Sequence, residues 1–433
     1  MFHLGWFVGR GFGLPTWGRT WTGNVDVRDW LSGQYFVDWA RSLERAGFDF
    51  IMFADTAYVP DTYGGSAEAY LRNGHMTPMH DPAALIPVLG YTTRHIGLVS
   101  TLSTSFYHPY GLARLAGTLD NMTGGRFGWN IVTTSSHQAA ACFGVDLPEH
   151  DARYDIADEF VELAERLWAS WEPDSVVADE KAGMYVDHTK VRPVDFVGRY
   201  YRSTGPLNIQ PPPQGRPVYV QAGGSTRGIR FAATHAEAIV CMAKGVDNMK
   251  RYRDDVRAHA AAAGRDPDTV KVLFLLDPVM GETRHEVEAR IEIRDRSRTE
   301  GLDGLLTMAG YSATGGFDIA NIDLDEPLVN HRREDGHLAV LEQMLAVGPT
   351  LRDVLPTLDM SVMDIAGTPD EVAGQMSEVI EEVGGDGFLI GGWDFTRRRI
   401  AEIADGLAPA LRRRGVMRDG YAHRTLRDHL LEY

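Results

Sequence analysis

The chain has little sulfur chemistry to offer. Its 433 residues include two cysteines, Cys142 and Cys241, far apart and without metal-ligand spacing, so free thiols are expected rather than a disulfide framework. Cationic excess is also missing: 43 Lys and Arg stand against 60 Asp and Glu, a formal charge of -17. That balance argues against a nucleic-acid partner, and the Arg412-Arg413-Arg414 run reads as a solvated helix end. No apolar run is long enough to cross a bilayer, and the N-terminal segment lacks a basic stretch followed by a signal-type core. No membrane partner is expected, and a cytoplasmic location is the default. The scattered histidines lack zinc-ligand spacing, so no metal is expected. No strained serine-nucleophile motif is apparent. Gly9, Gly11 and Gly13 imitate part of a dinucleotide fingerprint, but no strand-turn-helix pattern surrounds them.

What is present is a series of short apolar segments separated by helical patterns. Residues 2–8, 48–53, 95–101, 125–132, 217–222, 238–242, 270–276 and 387–392 each read as a buried strand. Between them, Phe36, Trp39, Leu43 and Ala46 recur at helical spacing, as do Ile156, Phe160, Leu163 and Leu167. Ser32 is a candidate cap for the first of these helices. Eight strands alternating with helices indicate parallel βα architecture, which closes into a barrel or opens into a doubly wound sheet. The barrel is preferred because the first and last strands bracket the sequence and the extra length falls into loops. Residues 175–216 and 282–347 are read as insertions, the second largely helical, and helices form a C-terminal extension.

In a barrel the site lies where residues following several strands converge. Pro217-Val218-Tyr219-Val220-Gln221-Ala222-Gly223-Gly224-Ser225-Thr226 carries a strand into a helix through two glycines and a hydroxyl. Glycine permits close backbone approach, and unpaired amides at a helix start can hold a phosphate. The same junction is also compatible with an ordinary Ser225 N-cap. Asp55, Thr101 and Asn130 stand at the ends of three other strands. Their carboxylate, hydroxyl and amide could edge a planar cofactor, or serve as turn, core and backbone-bonding residues. His150 and Tyr154 are four residues apart, so a helix through both places them on one face, as phosphate-side ligands or as a capping histidine and a packing tyrosine. His137 follows the Thr133-Thr134-Ser135-Ser136 cluster near the exit of the fourth strand. Phe7, Trp17, Tyr63 and Phe106 are candidate cavity walls.

The ordered set Phe53-Ala54-Asp55, Ser100 through Pro109, and Gly125 through Thr133, extended by His150-Asp151-Ala152-Arg153-Tyr154 and Gln221-Ala222-Gly223-Gly224-Ser225, resembles the bacterial luciferase-like flavin monooxygenases. Within them it is similar to the branch of nitrilotriacetate monooxygenase, dibenzothiophene-sulfone monooxygenase and pristinamycin synthase. The resemblance implies a single luciferase-like TIM-barrel domain over 1–433. It implies an enzyme that takes FMN as FMNH2 from a separate NAD(P)H:flavin reductase and uses molecular oxygen to oxygenate a small organic substrate, with C–N or C–S cleavage as one outcome. Cofactor contacts are then expected from Asp55, Thr101, Asn130, His150, Tyr154, Gly223, Gly224 and Ser225, with Asn130 and His137 as the catalytic candidates. It also implies a homodimer or higher homo-oligomer. Substrate-facing departures fall in the Trp17 loop and Asn73-Gly74-His75. An F420-dependent hydride-transfer oxidoreductase of the same barrel superfamily is the alternative, followed by a nonenzymatic flavin-binding protein.

Overall fold

The eight apolar segments fold as β1 (His3–Val8), β2 (Phe50–Phe53), β3 (Gly97–Ser103), β4 (Phe127–Val132), β5 (Val218–Gln221), β6 (Ala238–Cys241), β7 (Lys271–Leu276) and β8 (Gly387–Gly391). In the computed structural model they form a closed parallel barrel in which each pairs with its neighbour in sequence, and β8 pairs with β1. The barrel is therefore borne out over the open sheet. The structure describes residues 1–9, 33–300, 306, 319–331, 344, 345, 347–355, 361–391 and 396–433. Trp17, Gly11, Gly13 and Ser32 lie outside the described residues.

Side chains alternate across each strand, as the pleat requires. Trp6, Phe53, Trp129, Tyr219, Phe274 and Phe388 face the surrounding helices. Phe50, Met52, Val99, Val218, Val220, Val240, Leu273, Leu275 and Leu389 fill the barrel. Helices α1 (Gln34–Ala46), α2 (Pro82–Thr92), α3 (Pro109–Thr123), α4 (His150–Trp168), α5 (Thr226–His235), α6 (Val246–Ala262) and α7 (Pro369–Val383) cover the outside. Helix α1 buries Phe36, Trp39, Leu43 and Ala46 as its spacing predicts, and stops at Gly47, whose φ of 81° suits only glycine without strain. In α4 the buried stripe runs through Tyr154, Ala157, Phe160, Leu163 and Leu167, with Ile156 on its half-buried flank. The period of 3.6 residues carries the stripe to Ala157 instead.

The 175–216 segment contains two small antiparallel pairs, Val176–Asp179 with Met184–Val186 and Phe196–Val197 with Arg202–Ser203. The described start of the 282–347 segment is the helix Arg284–Glu300. No described helix is long and apolar enough to cross a membrane.

The floor of the barrel is made by the end of the chain. Helix α8 (Leu426–Leu430) inserts Leu426 and Leu430 among the inward-facing side chains. Leu426 uses space that only glycine leaves, since a methyl group at Gly97 would lie 2.5 Å from its Cδ1. Buried ion pairs hold this segment. Asp49 accepts from Arg418 Nη2 at 2.5 Å and from the Leu4 amide at 2.8 Å, and lies 3.0 Å from His3 Nδ1. Burial alone would raise the Asp49 carboxyl; His3, Arg418 and the amide outweigh it and hold the group below its usual range. Arg427 bonds Glu237, and Lys271 Nζ bonds the Tyr433 carbonyl at 2.9 Å. The arginine run is less solvated than its sequence suggests, because Arg412 Nη2 donates to the Ala46 carbonyl at 2.7 Å.

Leu426→Ala should destabilise the protein by about 2–5 kcal/mol, the range for emptying a fully packed leucine site, whereas the exposed Leu431→Ala should stay within about 0.5 kcal/mol. Chemical denaturation of both variants checks this; equal effects would remove the plug from the account.

Candidate functional site

The inward positions at the C-terminal end of the strands are polar where the lower layers are apolar. The β3–β4 register sets Thr101 opposite Asn130. Asn130 Nδ2 donates to Thr101 Oγ1 at 2.7 Å, and both residues are buried. β3 runs two residues beyond Thr101, so Thr101 lies within the strand rather than after it. Asn130 Oδ1 is buried and has no hydrogen-bond partner among the described residues. A buried acceptor left unpaired is costly, and the donor edge of a bound ring would satisfy it. One layer higher, Ser103 Oγ and Thr134 Oγ1 are 2.6 Å apart. Thr134 holds the left-handed backbone at φ 36°, a conformation uncommon outside glycine. This contact draws the 133–136 cluster over the mouth, where Ser136 caps the short helix His137–Cys142. His137 itself is exposed in the first turn of that helix and makes no side-chain hydrogen bond among the described residues. Phe106 stacks on Phe143 at 4.0 Å on the same rim.

Asp55 follows β2 at the adjoining rim. The Thr56 amide contacts Met79 Sδ at 3.2 Å, and Asp81 caps α2 through the Ala83 amide at 2.9 Å. These contacts hold the two carboxyl-bearing segments side by side. Asp55 keeps an exposed face yet is surrounded by protein on its other sides, as a group at the lip of a cleft is. That burial, followed by the charge on Asp81, pushes its carboxyl up to about 6. Tyr107 shares the lip: burial, then Asp81 and Asp55, raise its phenol.

The second cluster forms where β5 enters α5. Ser225 is the N-cap, its Oγ accepting from the Gly228 amide at 3.0 Å. Gly223 packs so closely that a methyl group there would lie 3.0 Å from the Gly228 carbonyl oxygen, while Gly224 faces open space. A methyl group at Gly228 would meet Tyr154 Oη at 2.8 Å and Ser225 Oγ at 3.0 Å. The phenol of α4 and the hydroxyl of α5 therefore converge on one glycine-lined notch. Tyr154 is 7% exposed, and its hydroxyl has no hydrogen-bond partner among the described residues. His150 packs against Tyr154 with ring centroids 5.3 Å apart, and its Nδ1 lies 2.7 Å from Asp151 Oδ1. Two hydroxyls and a helix start beside the open face of Gly224 suit a phosphate. Tyr252 and Gly228 escape a strand-end search. Tyr252 Oη donates to the Gly223 carbonyl at 2.6 Å from the next helix, α6. Gly228 was recognisable as the third residue after a serine cap. Among the described residues no three His, Cys, Asp or Glu side chains gather as a metal site.

The pattern that defines the luciferase-like monooxygenases matches residues 21–387. The chain belongs to the luciferase-like monooxygenase family. It is 35% identical to dibenzothiophene-sulfone monooxygenase of Rhodococcus erythropolis (strain XP), covering 99% of this chain and 96% of that protein. It is 32% identical to nitrilotriacetate monooxygenase component A of Aminobacter aminovorans, covering 92% and 89%. The crystal structure of riboflavin lyase with modified FMN and riboflavin superimposes with a TM-score of 0.87 at 32% identity, covering 100% of this chain and 96% of that one. The expectation of a flavin-using monooxygenase is borne out.

Asp55 gives a pH signature. Its folded pKa lies above the ordinary 3.8, so the folded state binds the proton more tightly and stability falls as pH rises from about 4 through 6. Asp55→Asn should raise the melting temperature more at pH ~7.5 than at pH ~5, with the gain vanishing near pH ~4. Thermal melts at the three pH values check this; a pH-independent gain would sink it.

Proposed function

We propose that this chain is the oxygenase component of a two-component system, using reduced FMN and molecular oxygen to oxygenate a small organic substrate and cleave a C–S or C–N bond. The observation that carries this reading is that two unfinished polar groups lie at the same end of the barrel, at the neighbouring strands β4 and β5. The Tyr154–Ser225–Gly228 notch awaits an anion, and Asn130 Oδ1, inside the barrel mouth, awaits a donor. FMN has both ends: a phosphate and a hydrogen-bonding ring edge. His150, Tyr154, Gly223, Gly224 and Ser225 would hold the phosphate and ribityl side. Asp55, Thr101 and Asn130 would hold the isoalloxazine side.

Bound reduced FMN supplies the electrons that activate oxygen. The protein's part is positioning and exclusion of water. Thr101 and Asn130 are fixed by their mutual bond and by the strand register, so they orient the ring without reorganising. Phe7, Phe106 and Tyr107 line the mouth with aromatic surface. His137, at the exposed start of its helix, is our choice for proton transfer at the substrate, with Asn130 assisting position. The reductant is delivered as free FMNH2 by a separate NAD(P)H:flavin reductase; the Aminobacter relative is by name one component of its system. We read residues 1–433 as one barrel domain with its insertions, working in the cytoplasm.

The chain is further proposed to act as a homodimer or higher homo-oligomer through α2. Its exposed face is Ala84, Pro87, Val88 and Tyr91, spaced i, i+3, i+4 and i+7, with Tyr91 83% exposed. Met122 of α3 extends it at 59% exposure, and the two helices are in contact where Gly90 accommodates Thr123. An unbroken apolar helix face of this kind is what a second copy would cover.

With a flavin reductase, catalase and a panel of organosulfur compounds and amines, labelled oxygen should appear in the product of one panel member. Product made only by released peroxide, or activity only with reduced F420, would overturn the assignment. Ser225→Ala should weaken reduced-FMN binding about 10–100-fold, the worth of one hydrogen bond to a charged group; unchanged affinity in anaerobic titration removes Ser225 from the site. Val88→Asp with Tyr91→Glu should yield monomers in analytical ultracentrifugation, and an unaltered assembly would move the interface elsewhere.

A further inference from the structure

A phosphomonoester carries about -1.5 to -2 charge at neutral pH. The notch that would receive it presents neutral hydroxyls and a helix start worth about half a positive charge. The basic side chains around it are mostly committed. Arg227, over the Tyr154 ring at 5.4 Å, pairs with Asp155 at 3.1 Å and Asp158 at 2.5 Å. His235 Nε2 lies 2.9 Å from Asp158, and His150 Nδ1 lies 2.7 Å from Asp151. Each of these side chains already has a carboxylate partner.

Arg153 is different. It follows His150 by three residues and precedes Tyr154, so the three share one face of α4. Its Nη1 donates to the Pro148 carbonyl at 2.9 Å, and its Nε is buried without a hydrogen-bond partner. It makes no ion pair among the described residues. Glu149, the carboxylate beside it at the start of α4, neither bonds it nor caps the helix with its side chain. Burial makes this guanidinium less basic than usual, with Tyr154 and Glu149 opposing that shift, as expected for a partly desolvated cation without a close counter-ion. The adjacent Tyr154 independently marks a ligand position: the side chain is 7% exposed, and its hydroxyl, with no hydrogen-bond partner among the described residues, is aimed at the Ser225–Gly228 notch.

We propose that Arg153 supplies the counter-charge for the cofactor phosphate and thereby selects phosphorylated flavin over riboflavin. This rests on the reduced-FMN reading. The guanidinium fork divides its work: one nitrogen anchors to Pro148, which fixes the side chain beside the helix start, and the remaining donors face the anion. A residue that merely held the Pro148 loop would affect both flavins alike.

The test is anaerobic titration of the purified protein with FMNH2, oxidised FMN and riboflavin, at low and high salt. Arg153→Gln should weaken both phosphorylated forms by about 10–100-fold, as for loss of a charge-assisted hydrogen bond. It should change riboflavin binding by less than about twofold and flatten the salt dependence of FMN binding. An equal loss for all three ligands, or no loss, overturns the assignment. Arg153→Lys, which keeps the charge without the fork, covers the case in which Arg153→Gln does not fold. Retained FMN selectivity and salt dependence in the lysine variant support the counter-charge, and their loss overturns it. Failure of the wild type to bind either form of FMN sinks the FMN reading itself, whereas tight FMN binding indifferent to Arg153 sinks only this inference.

Discussion

Everything above the barrel floor depends on how eight strands share a small interior. The space is too narrow for a large inward side chain on every strand, and glycines settle the conflict. A methyl group at Gly5 would lie 2.5 Å from Leu389 and 2.8 Å from Phe50; one at Gly128 would lie 2.8 Å from Val99. Large residues thus occupy room vacated by glycines on neighbouring strands, and the register between strands is pinned by that complementarity. A slip of one residue would turn the Thr101–Asn130 pair outward into apolar helices.

The two ends of the barrel treat charge in opposite ways. At the floor, Asp49 and Glu237 are buried and matched by arginines, leaving carboxylates with partners and nothing to offer a ligand. At the mouth, Asp55 faces another carboxylate, and among the described residues Asn130 leaves an oxygen unpaired and Tyr154 a hydroxyl. The floor is held by buried ion pairs, whereas these polar groups at the mouth face no opposite charge of their own among the described residues.

Much of this was legible in the sequence for local reasons. The strands are runs of apolar residues, and the helical spacing of Phe36, Trp39, Leu43 and Ala46 identifies its own buried face. Ser225 is an N-cap by its position between glycines and a helix, and Tyr154 faces the site by its distance from His150. What escaped is non-local. Tyr252 reaches the Gly223 carbonyl from the next helix, α6, and Met79, folded back on Thr56, brings the Asp81 and Asp55 segments together. Nothing in the order of residues near Leu426 shows that it fills a gap at Gly97. The uncommitted state of Arg153 is likewise a property of its neighbours' pairings.

Strand β1 near the N terminus is bonded on one side to β8, and the floor beneath it is laid by Leu426 and the Arg418–Asp49 pair. During synthesis β1 therefore lacks one of its two partner strands until Gly387–Gly391 has emerged. The strands from β2 onward can pair with their neighbours as they emerge, but the ring stays open, with two unpaired edges. Ring closure thus joins two strands far apart in sequence, and the mouth residues on β3, β4 and β5 share one rigid frame only when β8 has paired with β1 and Leu426 and Leu430 fill the opposite end.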